Sequence, residues 1–375
     1  MDIAFIDVTT TLFYGGVQTA VWQLAAALTD LGHQVTVYGG EGPVRPDLGG
    51  RPIAIRTFPY TPRALIPNLG TRFRKFGERW SFSRHARRAV VAADHDWIVL
   101  TKPFDFFWPR LMPGDSKTRF AFMSGGTDYM PGDRRLANRI AAWVACSHFN
   151  AWQIGSRYKC HPRVMFNGVD VARFHPRYRN PGLRAELGVT DDEVLFAFAG
   201  RLVGWKGLQI AIAALAHPQL RELPVKLLLI GGGAARDAWQ TLAEDLGVGG
   251  RVIFQPPQPH TELPRFYASA DVGVFPSLGD EAFGISVAEA MASGIPVVAS
   301  YNGGISEVVG NEGHAGLLFE IGNVDQCARA MAALCASPPQ RQAMGQAARE
   351  RIIENFTWEM AARRLIAALD AAPPR

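Results

Sequence analysis

Apolar residues gather along this chain in short runs, separated by stretches of helical period, and the alternation begins at once. Ile3 to Ile6 reads as a buried strand, a loop ending in Gly15-Gly16 follows, and Val17, Val21, Leu24, Leu28 and Leu31 recur on one helix face. Gly32 suits the C-terminal end of that helix, and Gln34 to Tyr38 reads as the next strand. Trp97 to Leu100, Phe120 to Met123 and Trp143 to Cys146 are continuous apolar runs, the signature of parallel strands buried on both faces. Around His175-Pro176-Arg177-Tyr178-Arg179-Asn180-Pro181-Gly182 both periods break down, which places a linker there.

The pattern then restarts. Val194 to Ala199, Val225 to Ile230, Val252 to Phe254, Val272 to Phe275 and Pro296 to Ser300 read as strands, each separated by a stretch that fits a helix. Regular alternation of this kind predicts an α/β protein of two doubly wound parallel-sheet domains, residues 1–177 and 178–357, with a cleft between them. Met360, Ala361, Leu365, Ala368 and Leu369 predict an amphipathic closing helix, with Thr357 as its N-cap.

Composition adds little to this picture, whereas charge distribution adds more. With 375 residues, 48% hydrophobic and 19% charged, the chain is long enough for two well-packed cores. The start, Met1-Asp2-Ile3-Ala4-Phe5-Ile6, lacks a basic leader, and no apolar run reaches spanning length, so a cytoplasmic location with at most peripheral membrane contact is expected. Cys146, Cys160, Cys327 and Cys335 show no metal-binding spacing and read as free thiols.

Of the net charge of +5, the segment Arg63 to Arg88 alone carries +7, leaving −2 for the rest. Leu69, Phe73, Phe76 and Trp80 form a stripe at helical spacing there, with Arg74, Lys75 and Arg79 off it. This fits a helix lying on an anionic membrane surface, or one packed on its domain with solvated arginines. A basic nucleic-acid-binding protein is the competing non-enzymatic reading, but no DNA or RNA motif accompanies the cluster, so no nucleic acid partner is expected.

The residues fit for chemistry lie mostly in the second half. Arg201 and Lys206 follow the strand ending at Ala199, at the carboxyl edge where open α/β sheets bind ligands. Two fixed cations there suit a diphosphate leaving group, on which negative charge builds during transfer. Glu281 lies in the loop after Phe275, and Glu289 in the helix that follows. Glu289 suits a ribose diol, and the backbone N–H groups of Phe283, Gly284, Ile285 and Ser286 open a helix whose positive end suits a phosphate. Paired carboxylates also serve glycosidases, but neighbouring cations favour ionised ligands over a raised-pKa acid.

With these residues assembled, the sequence resembles the retaining nucleotide-sugar glycosyltransferases of the GT-B fold, specifically glycosyltransferase family four. The resemblance rests on Gly15-Gly16-Val17, Asn167-Gly168-Val169-Asp170, Gly200-Arg201 with Lys206-Gly207, and Glu281-Ala282-Phe283-Gly284 through Glu289-Ala290-Met291-Ala292. It continues in Gly294-Ile295-Pro296-Val297-Val298 and Gly303-Gly304-Ile305-Ser306-Glu307. It implies that Arg201 and Lys206 hold the donor diphosphate and Glu289 the ribose. It gives Glu281, with the Phe283-Gly284-Ile285 backbone, the transferred sugar and phosphate, while Gly16 approaches the diphosphate. It further implies transfer of a hexose-type sugar from a UDP- or GDP-sugar to a glycan or lipid-linked acceptor, as in lipopolysaccharide or exopolysaccharide synthesis. No cofactor and no obligatory metal are implied, and residues 358–375 are expected to cross back onto the first domain.

Two departures stand out. Many relatives carry a histidine where Met123-Ser124-Gly125-Gly126-Thr127-Asp128 has none, which makes Thr127 and Asp128 the candidates there for contacting acceptor or donor. Gln18 stands where relatives often have a glutamate. A nucleotide-sugar epimerase of the same fold is the alternative enzyme reading.

Overall fold

The computed structural model describes residues 1–13 and 15–373, so Tyr14 and the end of the expected 358–375 segment, Pro374 and Arg375, lie outside the described residues. The chain divides into two compact units, Met1–Gly168 with the segment from Trp358 onward, and Val169–Thr357.

The first unit holds a parallel sheet of β1 (Asp2–Ile6), β2 (Gln34–Gly40), β3 (Ala54–Phe58), β4 (Trp97–Leu100), β5 (Arg119–Ser124), β6 (Ala142–Ala145) and β7 (Arg163–Val164). Their spatial order is β3-β2-β1-β4-β5-β6-β7, so the direction of winding reverses between β1 and β4. Side chains alternate across β1: Ile3 and Phe5 enter the core with Leu24 and Leu28 of the helix Gly16–Asp30, while Ala4 and Ile6 face Phe82, Ala86 and Val90 of the helix Thr71–Ala93. The closing helix Trp358–Asp370 puts Trp358, Ala361, Leu365 and Leu369 into the first of these cores.

The second unit holds β8 (Val194–Ala199), β9 (Val225–Ile230), β10 (Val252–Gln255), β11 (Val272–Phe275), β12 (Val297–Ser300) and β13 (Gly316–Phe319), in the order β10-β9-β8-β11-β12-β13, again parallel. Here the winding reverses between β8 and β11. The stretch read as a linker belongs to this unit. The Asn180 N–H donates to Ser269 Oγ at 2.9 Å, and Gly294 packs on Pro176 so closely that a Cβ would stand 2.6 Å from the proline ring. Proline and asparagine there serve short capped turns, and the contact boundary falls earlier, at Gly168/Val169. At that boundary the Val169 N–H donates to the Phe356 carbonyl at 2.8 Å, so the outgoing and returning chain run side by side.

The basic segment differs from its expectation in one respect that physics makes consequential. Arg79 is not solvated but buried, with Nε donating to Asp105 at 2.9 Å and Nη2 to Asp7 at 3.0 Å. Asp7 also accepts from Thr101 and Thr9, and Thr9 in turn accepts from Gln18 at the start of the Gly16–Asp30 helix. Burial drives the Asp7 carboxyl up, but Arg79, Lys102 and the Thr101 hydroxyl outweigh it and hold it below the usual carboxylate value. For Asp105 burial wins over Arg79, and its carboxyl is pushed up to about 7. Lys75 pairs with Asp128, whereas Leu69, Phe73 and Trp80 remain 72%, 44% and 42% exposed. Among the described residues no helix is long and apolar enough to cross a membrane.

Removing one partner of a buried charge cluster strands the others, at a cost of about 3–5 kcal/mol. Arg79→Ala is therefore expected to lower unfolding stability by about that amount in urea denaturation. Arg72→Ala, at an exposed position of the same helix, is expected to stay within about 0.5 kcal/mol.

Candidate active site

Two loops at the carboxyl edge of the second sheet carry most of the expected donor residues. The first leaves β8 through Gly200 and runs to Gly207; the second leaves β11 through Pro276 and ends at Gly284. They emerge from adjacent strands at the reversal of winding, the usual ligand-binding position of open α/β sheets. Their backbones are hydrogen bonded to each other: the Trp205 carbonyl accepts from the N–H groups of Leu278 at 2.8 Å and Gly279 at 3.1 Å. Such closeness requires glycine. Gly207 has φ +70°, and a Cβ there would lie 1.9 Å from the Pro276 carbonyl oxygen.

This contact brings Lys206 onto Glu281. The Lys206 ammonium pairs with Glu281 Oε1, which also accepts from Ser277 Oγ at 3.1 Å, and both charged side chains are largely buried. The Trp205 ring lies under both cations, its centroid 4.5 Å from Lys206 Nζ and 5.7 Å from Arg201 Cζ. Arg201 is exposed and has no ion-pair partner among the described residues. A cation without a counter-charge, beside a lysine whose partner is a single carboxylate, is suited to an anionic ligand.

The second loop is braced from below. Asn302 donates to the carbonyls of Ser277 at 3.1 Å and Gly279 at 2.7 Å, and Ser300 Oγ donates to Ser277 at 2.8 Å. Gly304 lies against the loop's far side, where a Cβ would come within 2.4 Å of the Ala282 carbonyl oxygen. The helix Ile285–Ala292 then begins after Gly284, at φ 93°, with no side-chain cap and no acid in its first turn. Phe283 is buried and packs edge-on against Phe356, and the N–H groups of that first turn have no partner within the helix.

Glu289 lies on this helix, buried, and the structure gives it a partner that sequence reasoning missed. His260 Nε2 stands 2.7 Å from Glu289 Oε1, and its ring meets Phe174 edge-on, with centroids 5.3 Å apart. Burial disfavours protonation of His260, yet the hydrogen bond and charge of Glu289 outweigh it and lift the imidazole above its ordinary value.

In the first unit, Gly15 and Gly16 open the helix Gly16–Asp30. The loop after β5 packs on that helix start, since a Cβ on Gly125 would fall 2.8 Å from Val17 Cγ2. Thr127 is exposed, and Asp128 is half-exposed and bound to Lys75. None of the four cysteines forms a disulfide among the described residues; burial pushes the Cys327 thiol up to about 12 and that of Cys160 up to about 11.

A methyl group on Gly207 must drive the two second-unit loops apart. Gly207→Ala is expected to cost more than about 1 kcal/mol of stability and to weaken nucleotide binding in calorimetry. Gly204→Ala, where an added Cβ meets nothing within 4 Å, is expected to leave both unchanged.

Comparison with known proteins assigns this architecture. The model of glycosyl transferases group 1 matches residues 180–351, and that of glycosyltransferase family 4 matches residues 14–173. A D-inositol 3-phosphate glycosyltransferase from Segniliparus rotundus is 33% identical over 248 residues, covering 64% of this chain and 54% of that protein. One from Streptomyces bingchenggensis is 33% identical over 243 residues, covering 62% and 53%. The chain thus spans about half the length of these curated relatives. Among solved structures, sucrose-phosphate synthase from Thermosynechococcus elongatus superposes with a TM-score of 0.80 at 23% identity, over 98% of this chain and 99% of that one. Anabaena HepE, solved with UDP and glucose, gives 0.77 at 22% identity, over 99% and 100%, and WaaG, a glycosyltransferase involved in lipopolysaccharide biosynthesis, gives 0.71 at 19%, over 98% and 99%. At these identities the structural likeness is one of fold. With one family match on each unit, the chain belongs to glycosyltransferase family 4 and is built on the GT-B fold.

Proposed function

We propose that this chain transfers a hexose-type sugar from a UDP- or GDP-sugar to a glycan or lipid-linked acceptor, with retention of configuration and without an obligatory metal. The observation that carries this reading is the grouping of Arg201 and Lys206 around one indole ring, beside a loop that ends in an uncapped helix N-terminus. Arg201 and Lys206 hold the diphosphate, the N–H groups from Phe283 to Ile285 take the phosphate next to the sugar, and Glu289 holds the ribose. Glu281 orients the transferred sugar while steadying Lys206. These positive groups do the electrostatic work a divalent ion does elsewhere, because charge on the leaving diphosphate grows as the glycosidic bond breaks.

In the reaction, the bond from the anomeric carbon to the diphosphate oxygen breaks, and the acceptor hydroxyl oxygen bonds to the same face of that carbon. The leaving phosphate oxygen takes the hydroxyl proton, so no separate base is needed. Thr127 and Asp128 contact the acceptor on the first unit. UDP bound to HepE, and the role of WaaG in lipopolysaccharide biosynthesis, support a nucleotide-sugar donor and a surface-glycan acceptor.

A thermal-shift screen of UDP, GDP, ADP and their sugars in EDTA tests the donor site. One nucleotide is expected to stabilise the protein, by about 2.7 kcal/mol at a hundredfold excess over its Kd, and magnesium is expected to add little. Glu289→Gln is expected to weaken that nucleotide about tenfold or more, and full stabilisation of this variant would remove Glu289 from the site.

The segment 63–88 is read as the membrane-facing part. Leu69, Phe73 and Trp80 are exposed in the same segment as the exposed Arg72, Arg84, Arg87 and Arg88, a combination suited to an anionic lipid surface. Sedimentation with phosphatidylglycerol vesicles is expected to retain the protein at low salt and release it at high salt, while Leu69→Ser with Phe73→Ser reduces retention. Equal binding to phosphatidylcholine vesicles would argue against it.

A further inference from the structure

We propose that His260 is the positioning residue of the ribose subsite, holding one oxygen of the Glu289 carboxylate so that the remaining acceptor positions are aimed at the sugar's hydroxyls. The inference rests on the reading of Glu289 as the ribose ligand. Its observations are geometric. Glu289 is buried on the helix Ile285–Ala292, and its carboxylate Oε1 stands 2.7 Å from His260 Nε2. His260 sits in the turn between β10 and the helix Leu263–Ser269, a different segment from the Glu289 helix, so the bond fixes the carboxylate from outside its own element. The ring is itself confined, edge-on to the fully buried Phe174 at 5.3 Å.

The chemistry follows from counting lone pairs. An ionised carboxylate offers about four acceptor positions. His260 takes one, on Oε1, leaving Oε2 and the second lone pair of Oε1 for a vicinal diol. A three-torsion side chain has several rotamers, and the bond to the imidazole holds the carboxylate in one of them before the ligand arrives. Both the neutral Nε2–H tautomer and the imidazolium can donate this bond, and the pull of Glu289 on the proton favours the donating forms.

The test reads ribose recognition itself. For whichever of UDP, GDP and ADP binds the wild type most tightly, calorimetry compares the ribonucleotide with its 2′-deoxy form in the wild type, His260→Ala, His260→Gln and Glu289→Gln. The wild type is expected to prefer the ribonucleotide by about tenfold or more, as loss of a hydrogen bond to a charged group predicts. His260→Ala is expected to cut that preference to about threefold or less and to raise the donor KM more than it lowers kcat. His260→Gln, whose amide N–H reaches the same oxygen, is expected to restore the preference. Because the preference is a ratio, a reduced folded fraction does not alter it.

If His260→Ala keeps the wild-type preference, or if His260→Gln fails to restore it, the positioning role is overturned while the Glu289 assignment stands. A wild-type preference that survives in Glu289→Gln overturns the ribose reading, and His260 falls with it. Absence of binding by all three nucleotides overturns both.

Discussion

Two loops can lie in backbone contact at the carboxyl edge of the second sheet only because Gly207 has no side chain, and the geometry of the candidate site follows from that. The Trp205 carbonyl bonds to Leu278 and Gly279 because nothing stands between the backbones. With the loops joined, Lys206 falls on Glu281 and the Trp205 ring falls under two cations. Ser300, Asn302 and Gly304 then brace the second loop where β12 ends, so each neighbour along the sheet edge contributes to fixing Glu281 and the helix start at Ile285. Preorganisation of this kind is what electrostatic stabilisation of a leaving group needs, since charges that must first move cost energy at the moment of reaction.

The two units share a winding pattern but treat charge oppositely at its reversal. Between β1 and β4, Arg79 pairs with Asp7 and Asp105 in the interior, Thr101 and Thr9 donate to Asp7, and the chain of hydrogen bonds ends on Gln18 at the start of the Gly16–Asp30 helix. Between β8 and β11, Lys206 is largely buried against Glu281, whereas Arg201 is exposed and keeps its charge unbalanced. The first arrangement holds a glycine turn in place, and the second leaves one cation without a counter-charge among the described residues. Similar topology thus gives one unit a buried ion-pair cluster and the other an unpaired cation at its sheet edge.

Much of this was legible in the sequence, because fully buried parallel strands announce themselves as apolar runs. Val194–Ala199, Val225–Ile230 and Val272–Phe275 end where the pattern places them. The strands that escaped are β3, β7 and β13. β3 and β13 lie at sheet edges or open on glycine, and β3 carries Arg56 on a half-exposed edge, which removes the apolar signal. The loops that carry Arg201, Lys206 and Glu281 were legible because glycines at strand ends mark close backbone approach. His260 was not, because its partner Glu289 is distant in sequence and the Pro256-Pro257-Gln258-Pro259 turn that precedes it carries no motif. Arg79 was misplaced for a related reason: helical spacing separates faces but cannot reveal that two aspartates from other strands' ends wait on the polar one.

The account depends most on Arg201 and Lys206 holding a diphosphate without metal. Its most direct test is calorimetry in chelator, comparing a binding nucleoside diphosphate with the corresponding monophosphate, in the wild type and in Lys206→Ala. The account predicts a preference for the diphosphate of about tenfold or more in the wild type that collapses in the variant. An undiminished preference in Lys206→Ala, or diphosphate binding that appears only with added magnesium, would contradict it.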